Sequence, residues 1–156
     1  MIKKLEILFF RLLVLILVLS NSSCSETNFD IVVVGGGTSG VASAIQSSRL
    51  GSKTLLIEES NWLGGMLTSA GVSAMDGNYK MPSGFLKEFR DSLVSYYGHL
   101  DSLKTGWVSN FMFEPSVGNR ILKDIANQEK NLTILFGSTV GEVVKNSNFI
   151  IKIKEC

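Results

Sequence analysis

Residues 29–68 have the sequence FDIVVVGGGTSGVASAIQSSRLGSKTLLIEESNWLGGMLT, and this stretch decides the fold. A short run of β-branched residues, Ile31–Val34, is followed by glycines and by a segment with apolar residues at helical spacing. A second apolar run occupies residues 54–57. A buried strand, a glycine turn, a helix and another buried strand form a parallel βαβ unit. The sequence therefore predicts an α/β fold with a Rossmann-like parallel sheet.

The glycines after the first strand have the spacing G-x-G-x-x-G at Gly35, Gly37 and Gly40. In such a turn the first glycine permits a tight bend, the second lets a pyrophosphate approach the backbone, and the third lets the helix pack closely. We predict a helix over residues 39–50, starting at Ser39, whose free N–H groups and partial positive charge would face phosphates. Gly51 is expected to cap this helix. Its predicted inward face is formed by Val41, Ala44, Ile45 and Ser48.

An acidic residue, Glu58, stands at the end of the second predicted strand, 18 residues after Gly40. A carboxylate at this place can accept hydrogen bonds from both hydroxyls of an adenosine ribose. It would repel a 2′-phosphate, which argues against NADP. The strand, the helix and the acid agree with the glycine spacing, so this unit predicts a dinucleotide site.

A second glycine pair, Gly64 and Gly65, follows the acid and is succeeded by Met66 and Thr68. Here the chain resembles the FAD-dependent oxidoreductases with a glutathione-reductase-type FAD-binding fold. In that group a Gly-Gly motif ending in Ser or Thr supports the pyrophosphate. The resemblance implies FAD as the cofactor and these four residues as contacts. An NAD-binding dehydrogenase domain is the alternative, and the Gly-Gly-x-x-Thr pattern favours FAD. Many flavoproteins have an Arg where this chain has Trp62.

The wider stretch NWLGGMLTSAGVSAMD, residues 61–76, resembles FAD-dependent oxidoreductases related to the heterodisulfide reductase A subunit. In that family the residues corresponding to 69–82 run beneath the flavin towards the substrate. Ser73, Met75 and Asp76 are therefore candidate site residues, with a structural loop as the alternative. His99, the single histidine, is expected to be a solvated or capping residue, because no partner for a general base stands beside it. Catalytic residues stay unassigned.

The rest of the chain predicts two helices and three strands. The helices span residues 83–97 and 116–128, with Gly98 closing the first. Their predicted buried stripes are Phe85, Leu86, Phe89, Leu93 and Tyr96 in the first helix, and Val117, Ile121, Leu122 and Ile125 in the second. A third strand at residues 132–136 precedes two antiparallel strands at 137–145 and 149–154. The resemblance makes this pair the start of a β-meander and places Val140 near the adenine.

The first 24 residues resemble a bacterial lipoprotein signal. Two lysines, an apolar run at 12–19 and small polar residues precede Cys24, the expected lipidation site. Ordinary secretion and a retained anchor are the alternatives. We therefore divide the chain into a signal peptide at 1–24, a tether at 25–29 and an FAD-binding region at 30–156. The protein is expected to be exported and anchored to a bacterial membrane.

Composition excludes several other classes. The net charge of +1 gives no basic footprint for nucleic acid. The two cysteines, Cys24 and Cys156, form no CxxC pair, so we expect no metal or iron–sulfur site in this chain. A disulfide between them is disfavoured by the role expected for Cys24.

The resemblance covers the N-terminal part of the family. A later Gly-Asp motif that binds the ribitol, and the region that builds the substrate site, have no counterpart in the sequence. We therefore expect an incomplete FAD-binding domain whose activity in isolation is doubtful. A second polypeptide that completes the fold and a truncated non-catalytic remnant are both alternatives, and the substrate stays open.

Overall fold

The computed structural model describes residues 28–75, 80–107, 109, 111–147 and 149–155. The predicted leader, the lipidation site Cys24, the candidate Asp76 and Cys156 lie outside the described residues. The described chain contains five strands and three α-helices. They are β1 (Ile31–Val34), α1 (Thr38–Arg49), β2 (Thr54–Glu58), α2 (Gly84–Tyr97), α3 (Pro115–Asn127), β3 (Leu132–Phe136), β4 (Val140–Asn146) and β5 (Phe149–Glu155).

The central sheet is parallel, with the strand order β1-β2-β3. Ile31 pairs with Thr54, and Thr54 pairs with Leu132, so the three strands begin level with one another. Their carboxyl ends therefore meet at one edge of the sheet, where parallel α/β sheets bind ligands. This confirms the predicted α/β, Rossmann-like fold, and strands β1 and β3 have the predicted bounds.

The prediction that β1 is buried was wrong. Ile31 is 37% exposed and Val34 is 62% exposed, because β1 pairs with β2 alone among the described strands. Its β-branched residues favour a strand in either setting, so composition predicts the strand and not its place in the sheet. The antiparallel pair β4–β5 forms a separate two-stranded sheet, which agrees with the predicted hairpin.

Helix α1 packs on β1 and β2 through its small inner face. All four residues predicted to face inward, Val41, Ala44, Ile45 and Ser48, are buried. In α3 the predicted stripe is buried as well, and Pro115 occupies the first turn, where its missing N–H has no cost. Arg49 at the end of α1 donates to both carboxylate oxygens of Glu88 on α2 at 2.7 Å and to Glu129 at 2.7 Å. These bonds therefore join α1 at the surface to α2 and to the loop that follows α3.

Helix α2 ends at Gly98, which has a φ of 85° as the predicted cap requires. Phe89 and Leu93 are buried, but Tyr96, predicted to be buried, is 49% exposed. The Arg120 guanidinium lies 4.5 Å from the centre of its ring, so Tyr96 contacts a cation at the surface instead of the core. Helical spacing alone predicts too wide a buried stripe here.

Two short 3-10 helices were not predicted, at Gly65–Leu67 and Leu100–Leu103. His99 caps the second one, because its Nδ1 accepts a hydrogen bond from the Asp101 N–H at 3.1 Å. This confirms the capping interpretation of His99. No described helix has the length and apolar character needed to cross a bilayer.

Candidate functional site

The two glycine motifs meet at the start of α1. Gly37 and Gly64 form a parallel bridge, and the Gly64 N–H donates to the Gly36 carbonyl at 2.8 Å. Thr38 adds a side-chain bond from its Oγ1 to the Gly64 carbonyl at 2.9 Å. The second glycine pair is thereby held against the first turn, with Gly65 close to the backbone of Gly37.

The glycines of the first motif have different surroundings. A Cβ atom on Gly40 would lie 1.9 Å from the Gly35 carbonyl oxygen, so only glycine lets α1 start this close to the turn. A Cβ atom on Gly37 would meet nothing within 4 Å. Gly40 is therefore required by packing, whereas the space beside Gly37 is open to a ligand. This open backbone is what a pyrophosphate needs at the start of a helix.

Glu58 reaches from the end of β2 into the same turn. Its Oε2 accepts the Gly36 N–H at 2.6 Å, and its Oε1 accepts the Ser60 N–H at 2.8 Å and the Ser60 Oγ–H at 2.6 Å. Burial favours the neutral acid, but the bonds from Ser60 and Gly36 outweigh it and hold the pKa of Glu58 below its usual range. The carboxylate is thus ionised at neutral pH at the edge where β1 and β2 end.

The segment between the acid and the second glycine pair is held by α3. The Leu63 N–H donates to Asn119 Oδ1 at 2.9 Å, and the Lys123 ammonium donates to the Asn61 carbonyl at 2.7 Å. Thr68 is buried and its Oγ1 donates to the Leu63 carbonyl at 2.6 Å. The sequence placed Thr68 beside the cofactor, whereas its hydroxyl is used within this loop.

A cleft of about 580 Å³ extends from the glycine turn. One end is polar, with the start of α1 at Gly37, Thr38 and Ser39. The remaining walls come from α1, α2, α3 and the loop after the second glycine pair, and they are apolar: Ala42, Met66, Leu67, Met75, Phe85, Leu86, Phe89 and Leu122. The cleft therefore suits a ligand with an anionic end and an apolar ring system.

The other sequence candidates are distributed around this cleft. Met75 lines it, and Met66 is 68% exposed at its mouth. Ser73 accepts the Phe113 N–H through its carbonyl at 3.2 Å, so its backbone is part of the loop packing. Val140 begins β4 and is half-buried. Within the described part of the chain, no group of His, Cys, Asp or Glu residues is arranged to hold a metal.

Sequence reasoning missed Ser60, Asn119 and Thr38, which position the site. Ser60 lies two residues after the acid, so a search for short-range donors to Glu58 would have found it. Asn119 is 56 residues from Leu63, and no local pattern indicates that pairing.

A family model described as FAD dependent oxidoreductase matches residues 30–155. Because the match covers most of the sequence, the chain belongs to this family, whose cofactor is FAD. The carotenoid phi-ring synthase of Chlorobaculum tepidum is 30% identical over 91 residues, 58% of this chain and 13% of the relative. The NADH:fumarate oxidoreductase of Klebsiella pneumoniae is 33% identical over 91 residues, 57% of this chain and 9% of the relative. The chain thus spans a small part of the length of these curated relatives.

Two solved structures share the fold. AlpK superposes with a TM-score of 0.56 at 14% identity, covering 84% of this chain and 28% of AlpK. PqsL, a probable FAD-dependent monooxygenase from Pseudomonas aeruginosa, gives a TM-score of 0.50 at 11% identity, covering 83% of this chain and 38% of PqsL. At these identities the likeness concerns the fold alone.

Proposed function

We propose that this chain binds FAD by its ADP end and serves as the nucleotide-binding part of an oxidoreductase. The observation that carries the proposal is the meeting of three features at one edge of the sheet. The open backbone at Gly37, the second glycine pair against it, and the ionised Glu58 all lie where β1 and β2 end. Open α/β sheets bind dinucleotides at this edge.

The pyrophosphate is assigned to the start of α1. The first N–H groups of a helix have no acceptor within the helix, and the helix dipole adds a partial positive charge there. Gly37 is the N-cap residue of α1 and makes no side-chain hydrogen bond to these N–H groups, so they are not occupied from that position. The second glycine pair and Ser39 flank the same space, which supports their predicted place beside the phosphates.

The adenosine ribose is assigned to Glu58. An ionised carboxylate accepts hydrogen bonds from ribose hydroxyls and repels a 2′-phosphate. Because the pKa of Glu58 is lowered, this charge is present at neutral pH. We expect Val140 to lie on the adenine side, as the family resemblance implies.

The apolar part of the cleft is assigned to the flavin side of the cofactor. Bound FAD supplies the transfer of a hydride or an electron pair between an organic substrate and an acceptor. The chain contributes binding and exclusion of water, because Met75, Phe85 and Phe89 present no polar side-chain group to the cleft. We assign Met66 to the mouth of the cleft and Thr68 to the shape of the loop.

A substitution at Gly37 tests the proposal. In a Gly37→Val variant the new Cβ atom meets no protein atom within 4 Å, and the side chain enters the space assigned to the pyrophosphate. We expect the variant to fold like the wild type, by circular dichroism and urea unfolding, and to bind FAD at least about 100-fold more weakly by calorimetry, since a steric block outweighs one lost contact. Ser43→Val, at an exposed position of the same helix, is the matched control. Wild-type affinity in the folded Gly37→Val variant would disprove the assignment.

We also propose that the chain is exported and lipid-anchored through Cys24, on the strength of the N-terminal pattern. A Cys24→Ser variant is expected to lose labelling by radioactive palmitate in bacterial cells and to leave the membrane fraction. Cys156→Ser is the control and should keep both properties. Labelling that persists in Cys24→Ser would exclude this anchor.

A further inference from the structure

The hydroxyl of Ser60 stands between the acid and the second glycine pair. Its Oγ lies 2.6 Å from Glu58 Oε1 and 3.2 Å from the Trp62 carbonyl oxygen, and it accepts the Trp62 N–H at 3.1 Å. A serine hydroxyl has one hydrogen, and the shorter contact to a carboxylate takes it. Ser60 thus donates to Glu58 while it accepts from the loop that leads to Gly64.

The hydrogen bonds to Glu58 are unequally divided between its two oxygens. A carboxylate oxygen has two lone pairs in its plane. Oε1 accepts both the N–H and the hydroxyl of Ser60, so its two positions are filled. Oε2 accepts the Gly36 N–H, which leaves one position for a ligand. From the sequence we expect Glu58 to accept hydrogen bonds from both ribose hydroxyls, whereas the one open position on Oε2 can accept a bond from a single hydroxyl.

We propose that Ser60 is a positioning residue for the nucleotide, which fixes the Glu58 carboxylate and directs Oε2 to a single ribose hydroxyl. This inference rests on the proposed function, because it takes the ligand to be the ADP end of FAD. The Gly36 N–H on one oxygen and Ser60 on the other hold the carboxylate plane between the glycine turn and the loop. The Trp62 N–H fixes the Ser60 hydroxyl in turn.

Of the donors around the Glu58 carboxylate, the Ser60 hydroxyl is the one that a substitution can remove. Among the described residues, the carboxylate accepts hydrogen bonds from two backbone N–H groups and one hydroxyl, and all three donors are uncharged. The titratable side chain next in the chain is the exposed Glu59. On α3, the Lys123 ammonium donates to the Asn61 carbonyl, while Arg120 and Asp124 line a groove with residues of α2. Removing the hydroxyl therefore removes a side-chain bond that stabilises the charged form of Glu58.

The test compares the full chain with Ser60→Ala, Ser60→Thr and a control, Ser92→Ala. Ser92 Oγ donates to the Glu88 carbonyl at 2.9 Å on α2, so the control removes one serine hydroxyl bond elsewhere. The first readout is the titration of the Glu58 carboxyl followed by carbon NMR in the absence of ligand. We expect the midpoint to move to higher pH in Ser60→Ala and to stay at the wild-type value in Ser60→Thr and in the control.

The second readout is ADP affinity by calorimetry between pH 5 and pH 8. We expect Ser60→Ala to bind ADP about fivefold more weakly at pH 7, an effect of the size of one ordinary hydrogen bond, because the Glu58 carboxylate is then held less firmly towards the ribose. The difference should widen towards pH 5, because the variant gains its proton at a higher pH. Ser60→Thr should stay within about twofold of the wild type. If Ser60→Ala does not fold, Ser60→Cys, with its weak S–H donor, replaces it.

The outcomes separate the two proposals. An unchanged Glu58 midpoint in Ser60→Ala overturns the role of Ser60, whatever the chain binds. Equal ADP affinity of Ser60→Ala and wild type at every pH overturns it as well. A folded wild-type chain that binds no ADP overturns the proposed function and leaves the Glu58 titration as an independent measure of Ser60.

Discussion

Gly37 and Gly40 belong to one motif, but their surroundings assign them different tasks. The position of a Cβ atom on Gly40 collides with the Gly35 carbonyl, while the same atom on Gly37 is free of contacts. Gly37 also has a φ of −62°, which any residue adopts without strain. Gly40 is therefore required for the packing of α1, whereas Gly37 leaves space for the ligand.

A pair of alanine variants separates these tasks. Gly40→Ala should lose about 1–3 kcal/mol of unfolding free energy, because α1 has to move away from the turn. Gly37→Ala should change it by less than about 0.5 kcal/mol, as surface substitutions do. Urea unfolding of both variants measures the difference. Equal stability of the two variants would contradict the assignment of Gly40 to packing.

Glu58 gives the chain a pH dependence with a definite sign. Its folded-state pKa lies below the unfolded value of about 4.3, since the bonds from Ser60 and Gly36 outweigh burial. The stabilisation is complete above that pH and is lost as the pH falls through the folded-state pKa. It is therefore absent at strongly acidic pH.

The variant Glu58→Gln measures this dependence. At pH 7 it should be less stable than the wild type by about 1–3 kcal/mol. The reason is that the amide N–H groups of Gln would face the N–H and hydroxyl donors that the Glu58 carboxylate accepts. The two should converge as the pH falls through the lowered folded-state pKa of Glu58, where the wild-type acid is itself protonated. Urea unfolding at a series of pH values from 7 into the strongly acidic range follows the convergence, with Glu59→Gln, at the exposed neighbour, as the control. Equal stability of the two proteins at pH 7 would contradict the ionised, hydrogen-bonded state of Glu58.

Among the elements, α3 supports the site through Asn119, a residue that does not itself line the cleft. Its Oδ1 accepts the Leu63 N–H, and Leu63 is a fully buried residue just before the second glycine pair. Leu122 on the same helix approaches Gly64 so closely that a Cβ atom there would lie 2.6 Å from its Cδ1. Helix α3 thereby sets the distance between the loop and the first glycine turn.

An Asn119→Ala substitution tests this support. It leaves the Leu63 N–H without its acceptor and should cost about 1–3 kcal/mol in urea unfolding. Asn119→Asp keeps an acceptor oxygen and should retain most of the stability. Asn127→Ala, at the exposed end of the same helix, is the control. Wild-type stability in Asn119→Ala would show that the loop does not depend on α3.

Local patterns predict the elements well where one face is buried. The inner face of α1 has small residues at helical spacing, and all four predicted positions are buried. Tyr96 continues the apolar spacing of α2 but lies at the surface. Helical spacing indicates which side of α2 faces the core, but it does not indicate how wide the buried face is. Among the described strands β1 has a neighbour on one side, and the sequence does not predict this because β-branched residues suit edge and central strands alike.

At the scale of the whole molecule, the motif spacing predicts that the glycine turn, the acid and the second glycine pair come together. It does so because parallel strands place their carboxyl ends at one edge. The contacts that hold the parts together are not predictable in this way. The bond between Asn119 and Leu63 joins residues 56 positions apart, and it depends on the tertiary packing of α3.

If the proposed function is right, the chain recognises FAD by its ADP end. The most direct measurement is a competitive calorimetric titration of the folded full chain, in which FAD is bound first and ADP or FMN is then added. We predict that ADP displaces FAD and that FMN, which lacks the adenosine half, competes at least about tenfold less well. Displacement by FMN as effective as that by ADP, or a folded chain that binds no FAD, would contradict the claim.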